Sequence, residues 1–182
     1  AFVYRALADA AFLGDLIGEK AQAEKFNQAA DALAKAINTV LWDKDSGTYY
    51  GGFYDLEVAK RAPDFRPLRL KVENNLIEPT RHAALFALDQ GLVPSDRQAS
   101  VRKYLTAHPP VENDIMQYYY YFKFQYGLDD PAQDLAVLNK LRAEWKDMAY
   151  SPFEATFEGL HSWGSQAHCY GMFPAYFLSS YV

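Results

Sequence analysis

Apolar residues return at three- and four-residue steps through most of this chain, a spacing that suits amphipathic helices and little else. Over 2–17 the step is kept by Val3, Leu7, Ala10, Ala11, Leu13 and Ile17, which predicts a helix with one apolar face that Gly18 ends. Over 19–42 it is kept by Ala23, Phe26, Ala30, Leu33, Ile37, Val40 and Leu41, so the two runs are expected to form a helical hairpin. The pattern returns over about 78–91 with Ala83, Ala84, Leu85, Ala87 and Leu88, and over 94–107 with Val101, Tyr104 and Leu105. Two more runs cover 113–126 and 131–145, the second with Leu135, Leu138 and Leu141 on its expected buried side, and a last apolar segment covers 165–182. Gly91, Pro109-Pro110 and Gly127 separate these runs. About six or seven helices joined in pairs by short turns imply an all-α chain of helical hairpins. No fixed-period repeat is visible, which argues against a solenoid of the tetratricopeptide kind.

Two stretches break the helical pattern. Asp43-Lys44-Asp45-Ser46-Gly47 is dense in turn formers, and the glycine-rich aromatic run 48–54 after it reads as a short extended segment. The stretch 57–71, with Pro63 and Pro67, reads as a long irregular connection.

Composition narrows the function classes. At 182 residues, half of them hydrophobic, the chain has material for a sizeable core and is expected to form one domain over 1–182. A net charge of -5 and no basic cluster argue against a nucleic-acid partner. No apolar run approaches the length of a membrane span. Cys169 is the single cysteine, which leaves no internal disulfide and no zinc-binding CxxC pair. His161 and His168 stand at a spacing that fits no common zinc motif, so neither a metal nor another cofactor is expected. The chain starts inside a helical pattern without Met, as expected of part of something longer.

Two features carry chemistry. Tyr118, Tyr119, Tyr120 and Tyr121 are consecutive in a predicted helix, so some of them must point away from the core. Tyrosine rings offer faces on which the CH side of a sugar stacks and hydroxyls for its polar edge, although a run of tyrosines also simply fills space between helices. The stretch 152–168 gathers Glu154, Glu158, His161, Trp163 and His168 around two glycines. Glycosidic cleavage needs a pair of carboxyl groups, one to protonate the leaving oxygen and one to activate water or attack the sugar. Glu158, followed by Gly159, suits one of these roles, and Glu154 is so near in sequence that the partner is expected elsewhere. His168 beside Cys169 suggests a thiol nucleophile only weakly, because no orienting third residue accompanies them.

The segment Ala155-Thr-Phe-Glu158, then Ser165-Gln-Ala-His168-Cys-Tyr-Gly171 and the ending from Pro174, resembles the end of the catalytic domain of bacterial α-L-rhamnosidases and related six-hairpin glycosidases. The upstream runs Tyr4-Arg5-Ala6-Leu7, Leu41-Trp42-Asp43 with Ser46-Gly47-Thr48-Tyr49, and Ala84-Leu-Phe-Ala-Leu-Asp extend the likeness over most of the chain. The resemblance implies that the hairpins form part of an (α/α)6 toroid, of which this chain is the C-terminal portion. It also implies an inverting hydrolase for a terminal sugar, rhamnose being the first candidate. Carried over by position, Glu158 is the general base and His168 touches substrate, while Trp163, His161 and Tyr119 are candidate sugar contacts on chemical grounds. Phe157 stands where the family has Trp, in a block one residue shorter, which keeps Glu154 as an alternative base. The Trp- and Glu-bearing stretch of the general acid is absent from this sequence. The expected partners are therefore a carbohydrate and the remainder of the parent chain, without which no activity is expected. The competing readings are a non-catalytic helical interaction module, and a lyase or isomerase on a similar toroid.

Overall fold

The computed structural model describes residues 1–61, 71–110, 115–152, 155–160 and 168–181. They fall into two compact units, Ala1–His108 and Pro109–Val182.

The first unit opens with α1 (Phe2–Leu16) and α2 (Lys20–Val40), packed as a hairpin. Gly18 takes the left-handed φ of +86° that the reversal needs and that a side chain resists. Small residues make the seam: Ala11 and Gly14 of α1 and Ala23 and Ala30 of α2 are buried. A Cβ on Gly14 would lie 3.2 Å from the Cβ of Ala23, so the two backbones approach more closely than a side chain on residue 14 would fit without a shift. This corrects the expected apolar face of α1. Val3 is 65% exposed and Ile17 74%, because close backbone approach through Ala11 and Gly14 leaves large side chains outside the seam.

A four-stranded antiparallel sheet follows, in the order β1-β2-β4-β3: β1 (Trp42–Asp43), β2 (Thr48–Phe53), β3 (Val72–Glu73) and β4 (Leu76–Pro79). The expected turn links β1 to β2. Its Asp43 carboxylate accepts from the Ser46 hydroxyl and from the backbone N–H groups of Asp45 and Ser46. Partial burial pushes the Asp43 pKa up, but those hydrogen bonds outweigh it and hold the group below its usual value. Asn74 and Asn75, with φ of 50° and 62°, form the tight turn between β3 and β4, a conformation that asparagine tolerates better than most residues. Gly51 gives β4 room, since a Cβ there would sit 2.9 Å from Ile77 Cγ2.

Two sequence expectations change here. Most of the connection expected over 57–71 lies outside the described residues, but its start is the single-turn helix α3 (Leu56–Ala59), held by Asp55, whose carboxylate accepts from the N–H of Glu57 and of Val58. The helix expected from about residue 78 instead begins as α4 (Arg81–Asp89), because Leu76–Pro79 pairs with β2 and Pro79 keeps its predecessor extended. Thr80 caps α4, its hydroxyl accepting from Ala83 N at 3.2 Å. α4 packs on α5 (Gln98–Ala107), with Ala84, Leu85, Val101 and Leu105 in the core.

Asn38 ties these parts together. Its amide donates to the carbonyls of Ala34 and Leu92, both at 2.9 Å, and its side-chain oxygen accepts the Tyr49 hydroxyl at 2.6 Å. Arg97 donates to the Asn38 carbonyl at 2.9 Å while lying 4.4 Å from the Trp42 ring centroid.

In the second unit α6 (Ile115–Tyr126) packs on α7 (Pro131–Glu144), followed by α8 (Lys146–Ala149), a 3-10 turn (Cys169–Met172) and α9 (Phe173–Tyr181). Pro131 opens α7 behind an Asp130 cap that accepts from Ala132 N. The buried stripe of α7 is Val137 and Leu141, one turn apart, whereas Leu135, expected inside, is 56% exposed. Phe122, Trp145 and Phe177 of the core and the half-buried Phe173 meet mostly edge to face.

Removing the α4 cap by Thr80→Ala is expected to lower unfolding stability by about 1 kcal/mol, with Thr80→Ser close to wild type. Equilibrium denaturation reads the difference, and equal midpoints for all three would refute the capping role.

Candidate functional site

The stretch that holds Glu158 is not helical, so its placement depends on what its backbone and its neighbours bind. Phe157 and Leu160 are almost wholly buried, Gly159 is buried between them, and Glu158 is half-buried. Two core anchors therefore bracket the carboxylate within four residues of chain.

Upstream, Thr156 joins this stretch to His168. The His168 N–H donates to the Thr156 carbonyl at 2.8 Å, and the Thr156 hydroxyl donates to the His168 carbonyl. That carbonyl also accepts from Gly171 N at 3.3 Å. Gly171 lies directly against the stretch: a Cβ on it would stand 2.6 Å from Thr156 Cβ and 2.9 Å from the Phe157 carbonyl oxygen. From the other side the Trp145 indole N–H donates to the Gly171 carbonyl at 2.9 Å, in a buried contact. The end of α7, the Glu158 stretch and the 3-10 turn are thus fixed to one another by three hydrogen bonds and by the close approach at Gly171.

Beside this junction is an open, largely apolar pocket of about 390 Å³. Met116, Tyr119 and Tyr120 of α6 form one wall, and Cys169, Met172 and Phe173 form the other. The tyrosine run divides by helix geometry. Tyr118 and Tyr121 are buried, while Tyr119 and Tyr120 are half-buried and reach the pocket. Tyr119 meets Tyr120, Phe173 and Phe177 edge-on or tilted at centroid distances of 5.0, 5.7 and 5.6 Å, which holds its ring. Burial pushes the Tyr121 phenol above its ordinary pKa.

Of the residues singled out in the sequence, the structure brings Glu158 and His168 to one junction through Thr156, and places Tyr119 in a pocket whose facing wall begins at Cys169, next to His168. Glu154, His161 and Trp163 lie outside the described residues. The residues that sequence reasoning did not single out are Thr156, Gly171 and Trp145. Gly171 was the most legible of them, a glycine just ahead of an apolar helix where close packing is the usual reason for lacking a side chain. Trp145 and Thr156 act through a partner 26 and 12 positions away, a pairing that no local pattern displays. Among the described residues, no three metal-ligating side chains gather.

A family model described as the bacterial alpha-L-rhamnosidase 6 hairpin glycosidase domain matches residues 1–114. The chain belongs to this family. Its class is thereby the all-α array of hairpins that the periodicity indicated, with the small sheet as an addition. No curated protein sequence matches it. Among solved structures it is similar to a GH78 family rhamnosidase of Bacillus sp. GL1, at 21% identity and a TM-score of 0.69, over 98% of this chain and 18% of that one. It is also similar to a rhamnosidase from Klebsiella oxytoca described with rhamnose bound, at 18% identity and a TM-score of 0.61, over 98% of this chain and 32% of that one. At these identities the likeness is one of fold, and this six-hairpin glycosidase chain spans no more than a third of either relative.

Gly171→Ala is expected to destabilise the protein by about 1–3 kcal/mol, because the new methyl meets backbone that the Trp145 bond and the Phe157 anchor prevent from retreating. Thermal unfolding checks this, and an unchanged midpoint would show that the contact at Thr156 and Phe157 is loose.

Proposed function

We propose that this chain supplies the general-base side of an inverting glycosidase site acting on a terminal rhamnoside, with Glu158 as the base. The observation that carries the reading is the Thr156–His168 pair of hydrogen bonds, which holds the stretch bearing Glu158 beside the turn that lines the tyrosine pocket. In inversion a carboxylate takes a proton from water as the water attacks the anomeric carbon, while an acid on the opposite face protonates the leaving oxygen. The two carboxyl groups then stand roughly 6.5–9.5 Å apart to admit the water. A base held on a pinned, half-buried stretch suits that task, since its position must be set before water arrives.

His168 is assigned a substrate hydroxyl, and Tyr119 with Tyr120 an apolar sugar face or the methyl group of a 6-deoxy sugar. His161 and Trp163 are further candidate contacts, and Glu154 remains the alternative base. Membership of the six-hairpin glycosidase family supports hydrolysis as the reaction, and the Klebsiella relative described with rhamnose supports the sugar. The general acid belongs to the remainder of the parent chain, because the Trp- and Glu-bearing stretch associated with it is absent from this sequence.

Glu158→Gln in the full-length protein is expected to lower kcat on an aryl rhamnoside by about 100- to 10,000-fold, with the fold kept. Near-normal turnover would rule out Glu158 as base, and the same variant at Glu154 then tests the alternative. Proton NMR of the first-formed sugar separates inversion from retention. The isolated 182-residue chain is expected to release no aryl alcohol from the same substrate. Measurable hydrolysis by it would show that both carboxyl groups lie within this sequence.

A further inference from the structure

The stretch that bears Glu158 is not helical, so contacts other than a helix must fix its backbone as substrate binds and leaves. Thr156 is two residues upstream. Its carbonyl and its hydroxyl both engage the backbone of His168, so the stretch and the start of the 3-10 turn are joined at two points instead of one. A single bond would act as a hinge, whereas two bonds to the N–H and C=O of one residue resist rotation about either.

The hydroxyl is the informative part. The His168 carbonyl already accepts from Gly171 N, so it would remain hydrogen-bonded without Thr156. Valine, which nearly matches threonine in shape, would fill the same space at this part-buried position. Packing and hydrogen-bond satisfaction therefore leave the hydroxyl unexplained, and orientation of the stretch explains it. The Trp145 indole completes the arrangement from behind. By donating to the Gly171 carbonyl it holds the glycine backbone against Thr156 and Phe157, the surface on which the stretch rests.

We propose that Thr156 and Trp145 are positioning residues for Glu158, joining its stretch to His168 and Gly171 so that the carboxylate keeps its place relative to the substrate-contacting histidine. This rests on the reading of Glu158 as the base. Neither side chain touches substrate, and both act through the backbone.

The test uses the full-length protein with an aryl rhamnoside. Thr156→Val is expected to lower kcat by about 10- to 100-fold, the scale on which small misplacements of a reacting group are felt. KM should stay within about two-fold of wild type, because none of the residues that line the pocket on α6 and the 3-10 turn is replaced. Thr156→Ser restores the hydroxyl without the methyl and is expected to return most of kcat. Trp145→Phe keeps a ring in the core and removes the N–H, and is expected to lower kcat in the same way. A Thr156→Val enzyme with wild-type kcat would overturn the proposal. So would a loss that serine fails to rescue and that follows a lowered melting temperature, the signature of a purely structural role. Glu158→Gln assayed alongside separates the two readings. If it is inactive while Thr156→Val is normal, only the positioning role fails, and if it is active, the base assignment fails and takes this proposal with it.

Discussion

Backbone lying on backbone at Gly171 is the contact on which the second unit's candidate site depends. The Thr156–His168 hydrogen bonds, the inward seating of Phe157 and the half-buried setting of Glu158 all require the stretch to lie where a side chain on residue 171 would be. Hydrogen bonds of this sort contribute only about 1 kcal/mol each, since the unfolded chain satisfies the same groups with water. What makes them decisive is direction. The buried Phe157 and Leu160 supply the driving force for the stretch to pack, at about 25 cal/mol per Å² of apolar surface removed from water, but that force has no preferred register. The two bonds to His168 and the indole bond to Gly171 choose one.

The same physics governs the first unit. Gly14 lets α1 approach Ala23, and Gly51 lets β2 accept the Ile77 and Thr80 side chains. In each place a missing Cβ makes room for a neighbour that a side chain would displace. Asn38 joins α2, β2 and the α4–α5 link by hydrogen bonds, as Thr156 joins the Glu158 stretch to the 3-10 turn. Polar side chains that bind backbone in a part-buried place are costly to leave unpaired, so each one narrows the set of acceptable packings.

This explains which parts of the molecule could be read in the sequence. Helix positions were legible, because glycine at a left-handed turn, proline at a first turn and the apolar step act within a few residues: α1, α2 and α7 begin and end close to where Gly18 and Pro131 indicate. Faces were less legible. The apolar step on α1 located the helix, yet Ala11 and Gly14 form its seam and Val3 and Ile17 do not, because seam residues are chosen for smallness, which a hydrophobicity pattern undervalues. Leu76–Pro79 was hidden for a different reason. A strand that pairs with Thr48–Phe53 across more than twenty residues leaves no periodic trace in four positions. At the candidate site, Glu158 and His168 stood out by residue type, while the threonine, tryptophan and glycine that join their segments did not, since backbone-mediated placement carries no chemical signature of its own.

The tyrosine run follows from the same distinction between placement and residue type. Four consecutive residues on a helix are spread around most of a turn, so neighbours in sequence meet different surroundings. Tyr118 and Tyr121 lie three apart and share the buried side, where Tyr118 meets Phe122 and Trp145. Tyr119 and Tyr120 fall between them and face the turn that begins at Cys169. One residue type therefore serves two ends: a ring wedged against Trp145 stabilises the residue that reaches Gly171, and the next ring forms the pocket wall. Core and pocket are coupled through adjacent positions of one helix turn. A change at Tyr118 would reach the Glu158 stretch through Trp145, whereas a change at Tyr120 would alter the pocket and leave that support in place.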